Sequence, residues 1–156
     1  MNRLAWIRRA EGWVQEELGA QDRLKSVLDD HMADLISGKP EAVIESAGVL
    51  AERTAEAARR AKRLRVLLLE LVPVLGEAPD RLATAASCLG EQAKGLAELA
   101  DRLRDKAAAN SALTRRVMWL AGKQTELVRD LLGAACGLEP GTDLDEARGA
   151  MVDGMA

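Results

Sequence analysis

The chain has 156 residues, with 22 Lys+Arg against 25 Asp+Glu for a formal net charge of −3, and it is 48% hydrophobic with neither Phe nor Tyr. One histidine, two cysteines and three tryptophans are too few for a metal or acid–base centre, a disulfide framework or a base-stacking platform, and the charge balance lacks the positive field that a phosphate backbone demands. Ala and Leu fill about a third of the positions, so the composition predicts an all-α protein, one domain or one elongated antiparallel bundle, that is not an enzyme, holds no cofactor and has no nucleic-acid partner.

The first predicted helix runs from about Leu4 to Ile36. Its start carries Arg3, Arg8, Arg9 and Glu11 and no apolar run like the core of a signal peptide, so a cytoplasmic location is expected. Ile7, Val14, Leu18, Leu24, Leu28, Met32 and Leu35 mark one side, while Gly12 and Gly19 weaken the first half, so Leu24 to Ile36 reads as the firmer part. Trp6 and Trp13, seven apart, share a face that either plugs the end of a bundle or extends a partner surface. His31, within Asp29-Asp30-His31-Met32-Ala33-Asp34, reads as a solvated helix histidine. In Ser37-Gly38-Lys39-Pro40 a helix-ending Gly is followed by a Pro that can only begin a new element.

The second helix, about Glu41 to Leu75, carries a heptad seam of Ala47, Leu50, Thr54, Ala57, Ala61, Leu64, Leu68, Leu71 and Leu75, spaced by three and four in alternation. The rest of its surface is charged, so the seam is expected to be buried, with Ala57 and Ala61 allowing close approach. The basic run Arg59, Arg60, Lys62, Arg63 and Arg65 reads as a solvated face. The longest apolar stretch, Val66 to Leu75, is interrupted by Glu70 and Pro73 and is half of the roughly 20 residues a bilayer requires, so no membrane insertion is expected.

After Gly76-Glu77-Ala78-Pro79-Asp80, a third helix is predicted from about Arg81 to Ala135, roughly 80 Å if continuous. Leu82, Leu89, Leu96 and Leu103 lie seven apart, the series continues through Asn110, Val117, Gln124 and Leu131, and Ala86, Ala93, Ala100 and Ala107 flank it. Cys88 and Cys136 would then be about 70 Å apart, which excludes a disulfide between them. Short turns make the three helices an up-down-up bundle. Two helices of roughly 50 Å cover the third only to about residue 115, leaving a section of roughly 30 Å without a partner in the chain.

That section keeps an apolar stripe of Leu113, Val117, Leu120, Leu127 and Leu131, widened by Met118, Trp119 and Val128. An exposed stripe of this size marks an interaction site, and anchors at i, i+3, i+4 and i+7 suit another helix. Trp119 falls off the seam, where a bundle core would not place it, and reads as a binding contact. Asn110 fixes register, marks a bend or touches the partner. The same stripe would equally serve self-association as a homodimer. Residues 137–156, with Asp143, Asp145, Glu146 and Asp153, read as an acidic, disordered tail that either docks to a partner or keeps the protein soluble.

Three segments carry a family resemblance: His31-Met32-Ala33-Asp34-Leu35-Ile36-Ser37-Gly38, Val49-Leu50-Ala51-Glu52-Arg53 with the heptads after it, and Leu103-Arg104-Asp105-Lys106-Ala107-Ala108-Ala109-Asn110-Ser111-Ala112-Leu113 leading into Leu120 through Leu132. Their order and content, over roughly residues 14 to 135, resemble the FlgN family of flagellar export chaperones, cytoplasmic all-helical proteins that hold hook-filament junction subunits before type III export. The resemblance implies that the C-terminal helices of such a client bind the last helix, here through Asn110, Leu113, Val117, Trp119, Leu120, Leu127 and Leu131.

Overall fold

The computed structural model describes residues 2–135, and these form an all-α helical bundle without strands among the described residues. In chain order the elements are α1 (Arg3–Ser37), α2 (Pro40–Leu69), a single turn α3 (Val72–Leu75), α4 (Leu82–Leu89), a 3₁₀ turn (Gly90–Ala93) and α5 (Lys94–Ala135). Contacts divide the chain into two units, one up to Arg115 and one from Arg116 onward. The acidic segment 137–156 and Cys136 lie outside the described residues.

Local chemistry sets the boundaries. The Asn2 side chain accepts the backbone N–H groups of Leu4 and Ala5 at 3.0 and 3.4 Å, which satisfies two donors that the first turn of α1 cannot pair. At the other end Gly38 adopts φ 66°, ψ 22°, and its N–H donates to the Asp34 and Leu35 carbonyls. Only two residues later Pro40 opens α2, where a missing N–H costs nothing.

In the first unit, side-chain pairs fix the directions. Trp6 meets Leu67, Glu17 meets Arg60 and His31 meets Ser46, so α1 and α2 are antiparallel. Glu11 lies beside Gly95, and Asp22 and Gln21 bond Lys106 and Asn110, so α5 runs in the same direction as α1. The up-down-up order expected from the short turns is present.

The core gathers Trp6, Ile7, Ala10, Val14 and Leu18 of α1 against Leu67, Leu68 and Leu71, then Leu82, Ala85, Ala86 and Leu89 of α4, and Ala93, Leu96 and Ala100 beyond it. The half of α1 that Gly12 and Gly19 were expected to weaken is thus the half that packs best. A Gly costs a helix about 1 kcal/mol, whereas the loss of one buried large side chain costs several times that. Trp6 settles its own alternative, being fully buried with its indole N–H donated to the Leu67 carbonyl at 2.8 Å.

Three expectations are corrected. The third helix is not continuous from residue 81, because Gly90 adopts φ 71°, ψ −153°, outside any helix, and separates α4 from α5. His31 is not solvated: it is buried, and its Nδ1 pairs with Ser46 Oγ at 2.7 Å. The α2 seam is not uniformly buried. Leu68 and Leu71 are in the core, Leu50, Ala57 and Leu64 are half-buried, and Ala47, Thr54 and Ala61 are exposed. Small side chains at the seam leave a hollow instead of drawing α2 onto α5.

A buried polar line crosses the unit beside that hollow. Arg60 Nε donates to Glu17 Oε2 at 2.5 Å, Gln21 Nε2 donates to Glu17 Oε1 at 2.9 Å, and Asn110 Nδ2 donates to Gln21 Oε1 at 2.8 Å. One residue from each of α2 and α5 is thereby tied to two from α1.

Candidate functional site

The seven candidate contacts fall into distinct environments. Asn110 and Leu113 belong to the first unit, and the others to the second. Asn110 is buried and committed to Gln21, and Leu113 is half-buried. In the second unit Val117 is buried and Leu120 half-buried, whereas Trp119, Leu127 and Leu131 are 65%, 59% and 61% exposed.

The exposed set is larger than the predicted stripe. Met118, Val128 and Leu132 are also more than half exposed, so within residues 118–132 six large apolar side chains face solvent. Leu132 was missed because the heptad series assigns position 131 to the seam and stops there. At 100° per residue, Leu127, Leu131, Val128, Leu132 and Met118 succeed one another around an arc of about 180°. Trp119 lies about 100° beyond Met118, opposite Val128. Its neighbours three and four residues away within this unit are Arg116, Gly122 and Lys123, so the ring stands on the charged side of the helix.

Electrostatics supports the division. Lys123 Nζ donates to Glu126 Oε2 at 2.6 Å, a surface pair three residues apart that orders the polar side without contributing much stability. A helix with a half-circumference of exposed Leu, Val and Met can bury that face only against another apolar surface. At roughly 25 cal/mol per Å² this is a substantial driving force before ordering costs are subtracted.

No group of His, Cys, Asp and Glu among the described residues could hold a metal ion. No helix of the described residues is long and apolar enough to cross a membrane. No protein-family model matches the chain, and no curated protein or solved structure matches it.

A second concave feature lies wholly in the first unit and was not legible in the sequence. Trp13 of α1, Ala57, Ala61 and Leu64 of α2, and Leu103 and Ala107 of α5 line a hollow of about 190 Å³, with Glu17 and Gln21 at its edge. The only signal that could have pointed to it was the pair of alanines in the α2 seam.

Proposed function

We propose that this protein is a non-enzymatic, cytoplasmic export chaperone that binds the C-terminal helices of a hook-filament junction protein through α5, preventing premature assembly and delivering the client to the type III export apparatus. The observation that carries the reading is the exposed apolar arc of Met118, Leu127, Val128, Leu131 and Leu132 on a helix whose remaining surface is charged. Such a face suits an amphipathic helix laid alongside it. The resemblance of the chain's layout to the FlgN family supplies the identity of the client. Leu120, Leu127 and Leu131 are the contacts proposed to bind it, with Val117, Leu113 and Asn110 supporting them and Trp119, on the charged side of the helix, outside the arc.

The test is calorimetric titration of the full chain with a synthetic peptide of a junction protein's C-terminal helices, alongside emission spectra of the chain and its Trp119→Phe variant. Saturable binding, lost in Leu127→Asp/Leu131→Asp, is expected, with little change in the emission of Trp119, which stands outside the arc. Unchanged affinity in that double variant overturns the assignment.

The regular seam spacing Val117, Leu120, Gln124, Leu127, Leu131 favours a second reading, a coiled coil that self-associates through the same face. Sedimentation separates the two: a dimer at all accessible concentrations supports self-association, and a monomer leaves the face to a client.

A further inference from the structure

The hollow between α2 and α5 has properties that the client face does not share. Its walls are Ala57, Ala61 and Leu64 on one side and Leu103 and Ala107 on the other, with Trp13, Glu17 and Gln21 of α1 between them. Alanines on facing helices are what a third helix needs in order to approach closely. At about 190 Å³ the hollow is smaller than the roughly 300–1,000 Å³ of sites that enclose small molecules, and it has room for a few aliphatic side chains.

The α2 rim carries positive charge. Arg65 follows Ala61 by four residues and so stands beside it on α2, with the exposed Leu69 and Lys62 next on the same side. Lys62 and Arg65 are exposed and have no acidic partner within 4 Å among the described residues, whereas Arg60, on the α1 side of the same helix, is held by Glu17. On the α5 side Arg104 is already satisfied by Asp101 and Asp105 at 3.0 and 3.5 Å. A largely apolar groove, its Glu17 carboxylate already held by Arg60 and its α2 edge carrying Lys62 and Arg65, is complementary to a helix with an aliphatic stripe edged by carboxylates.

We propose that this groove is a docking site for an acidic amphipathic helix of a partner protein, distinct from the exposed face of α5 between residues 118 and 132. The helix sets Leu, Val or Ala side chains against Ala57, Ala61 and Leu103, and its Asp or Glu residues meet Lys62 and Arg65. Binding is salt-sensitive, because the cations sit at an exposed rim.

The experiment uses the full chain and a fluorescently labelled synthetic helix with Leu and Ala at i, i+3, i+4 and i+7 and Glu along both edges, followed by anisotropy. The same peptide with Lys in place of Glu is the charge control. The acidic peptide is expected to bind saturably and at least tenfold more tightly than the basic one. Lys62→Glu/Arg65→Glu should weaken it tenfold or more, and Ala61→Leu, which fills the groove and keeps every charge, should do the same. Leu127→Asp/Leu131→Asp should leave it unchanged. Circular dichroism of each variant verifies that helicity is retained. Equal binding of the two peptides, unchanged affinity in either groove variant, or loss of binding in the α5 variant overturns the proposal.

Discussion

Asn110 donates its side-chain amide to both the backbone carbonyl and the Oε1 of Gln21, at 2.8 Å in each case, across 89 residues of sequence. A lone polar residue in an apolar seam is thereby satisfied at a single offset of α5 along α1, since a slide of one turn would bury the amide without acceptors. Asn110→Leu should therefore lower the unfolding free energy by about 1–3 kcal/mol. Urea denaturation monitored by circular dichroism measures it, and a variant as stable as the parent would mean that register is set elsewhere.

Trp6 combines complete burial with a hydrogen bond to the Leu67 carbonyl. Trp6→Phe removes the donor and part of the ring, and should cost about 1–3 kcal/mol. Trp6→Ala also opens a cavity, for a total of about 3–5 kcal/mol. Thermal unfolding of both variants gives the comparison, and the order should be parent, Phe, Ala.

Glu17 and Arg60 form the best-buried ion pair described here, with side chains 10% and 14% exposed. Glu17→Ala strands Arg60, whose remaining acidic neighbour is Glu56 at 3.8 Å, and should destabilise by about 3–5 kcal/mol. Replacing both, as Glu17→Leu/Arg60→Met, should recover most of that loss, because the desolvation cost of the charges disappears with them. A double variant no more stable than Glu17→Ala would contradict this account.

Glu56 is held below the usual carboxylate range chiefly by its hydrogen bond from Arg53, which outweighs the opposing effect of desolvation, with smaller help from the charges of Arg53, Arg60 and Arg59. A carboxylate whose folded pKa is depressed contributes stability above its unfolded pKa and loses it as pH falls through the folded value. Glu56→Gln should therefore narrow the gap in stability between neutral and acidic pH, seen as a shallower fall of melting temperature below about pH 5. Parallel melting curves for parent and variant across the acidic range test the sign.

Gly90 and Gly38 both have positive φ but differ in ψ. The φ 71°, ψ −153° of Gly90 is a conformation that essentially only glycine tolerates, so Gly90→Ala should cost about 1–3 kcal/mol. Gly38, in the left-handed region where other residues occur, should lose only about 1–2 kcal/mol on conversion to Ala. Chemical denaturation should rank the two in that order.

The legible parts of the fold were those set by local chemistry. Gly38 with Pro40 and Gly76 with Pro79 announced the turns, and leucines every seven residues announced burial along α4 and α5. The same heptad concealed the break at Gly90, since Leu89 and Leu96 are buried on both sides of it and the period continues through the interruption. His31 was misread because its partner, Ser46, lies on another helix, and no pattern within α1 reveals a neighbour fifteen residues away. In α2, spacing marked the seam but not how far each position is covered, which depends on side-chain bulk: Leu68 is buried and Ala61 is not. For the candidate site, the apolar positions of α5 were readable from periodicity, and so was the displacement of Trp119 from them. The groove was not, because alanines in a seam are compatible with close approach or with a hollow, and only the packing of three helices decides between them.

The interruption at Gly90 also has a consequence for cooperativity. An uninterrupted helix transmits protection along one hydrogen-bond ladder, so its amides exchange with solvent as a graded series from the ends. Here the ladder of α4 stops at Leu89 and that of α5 starts anew at Lys94. The two segments can therefore open separately, as distinct units with their own exchange rates. Opening of residues 82–89 then costs the burial of Leu82, Ala85, Ala86 and Leu89 but no unwinding of α5, and deuterium uptake should step sharply at Gly90 instead of changing gradually across it.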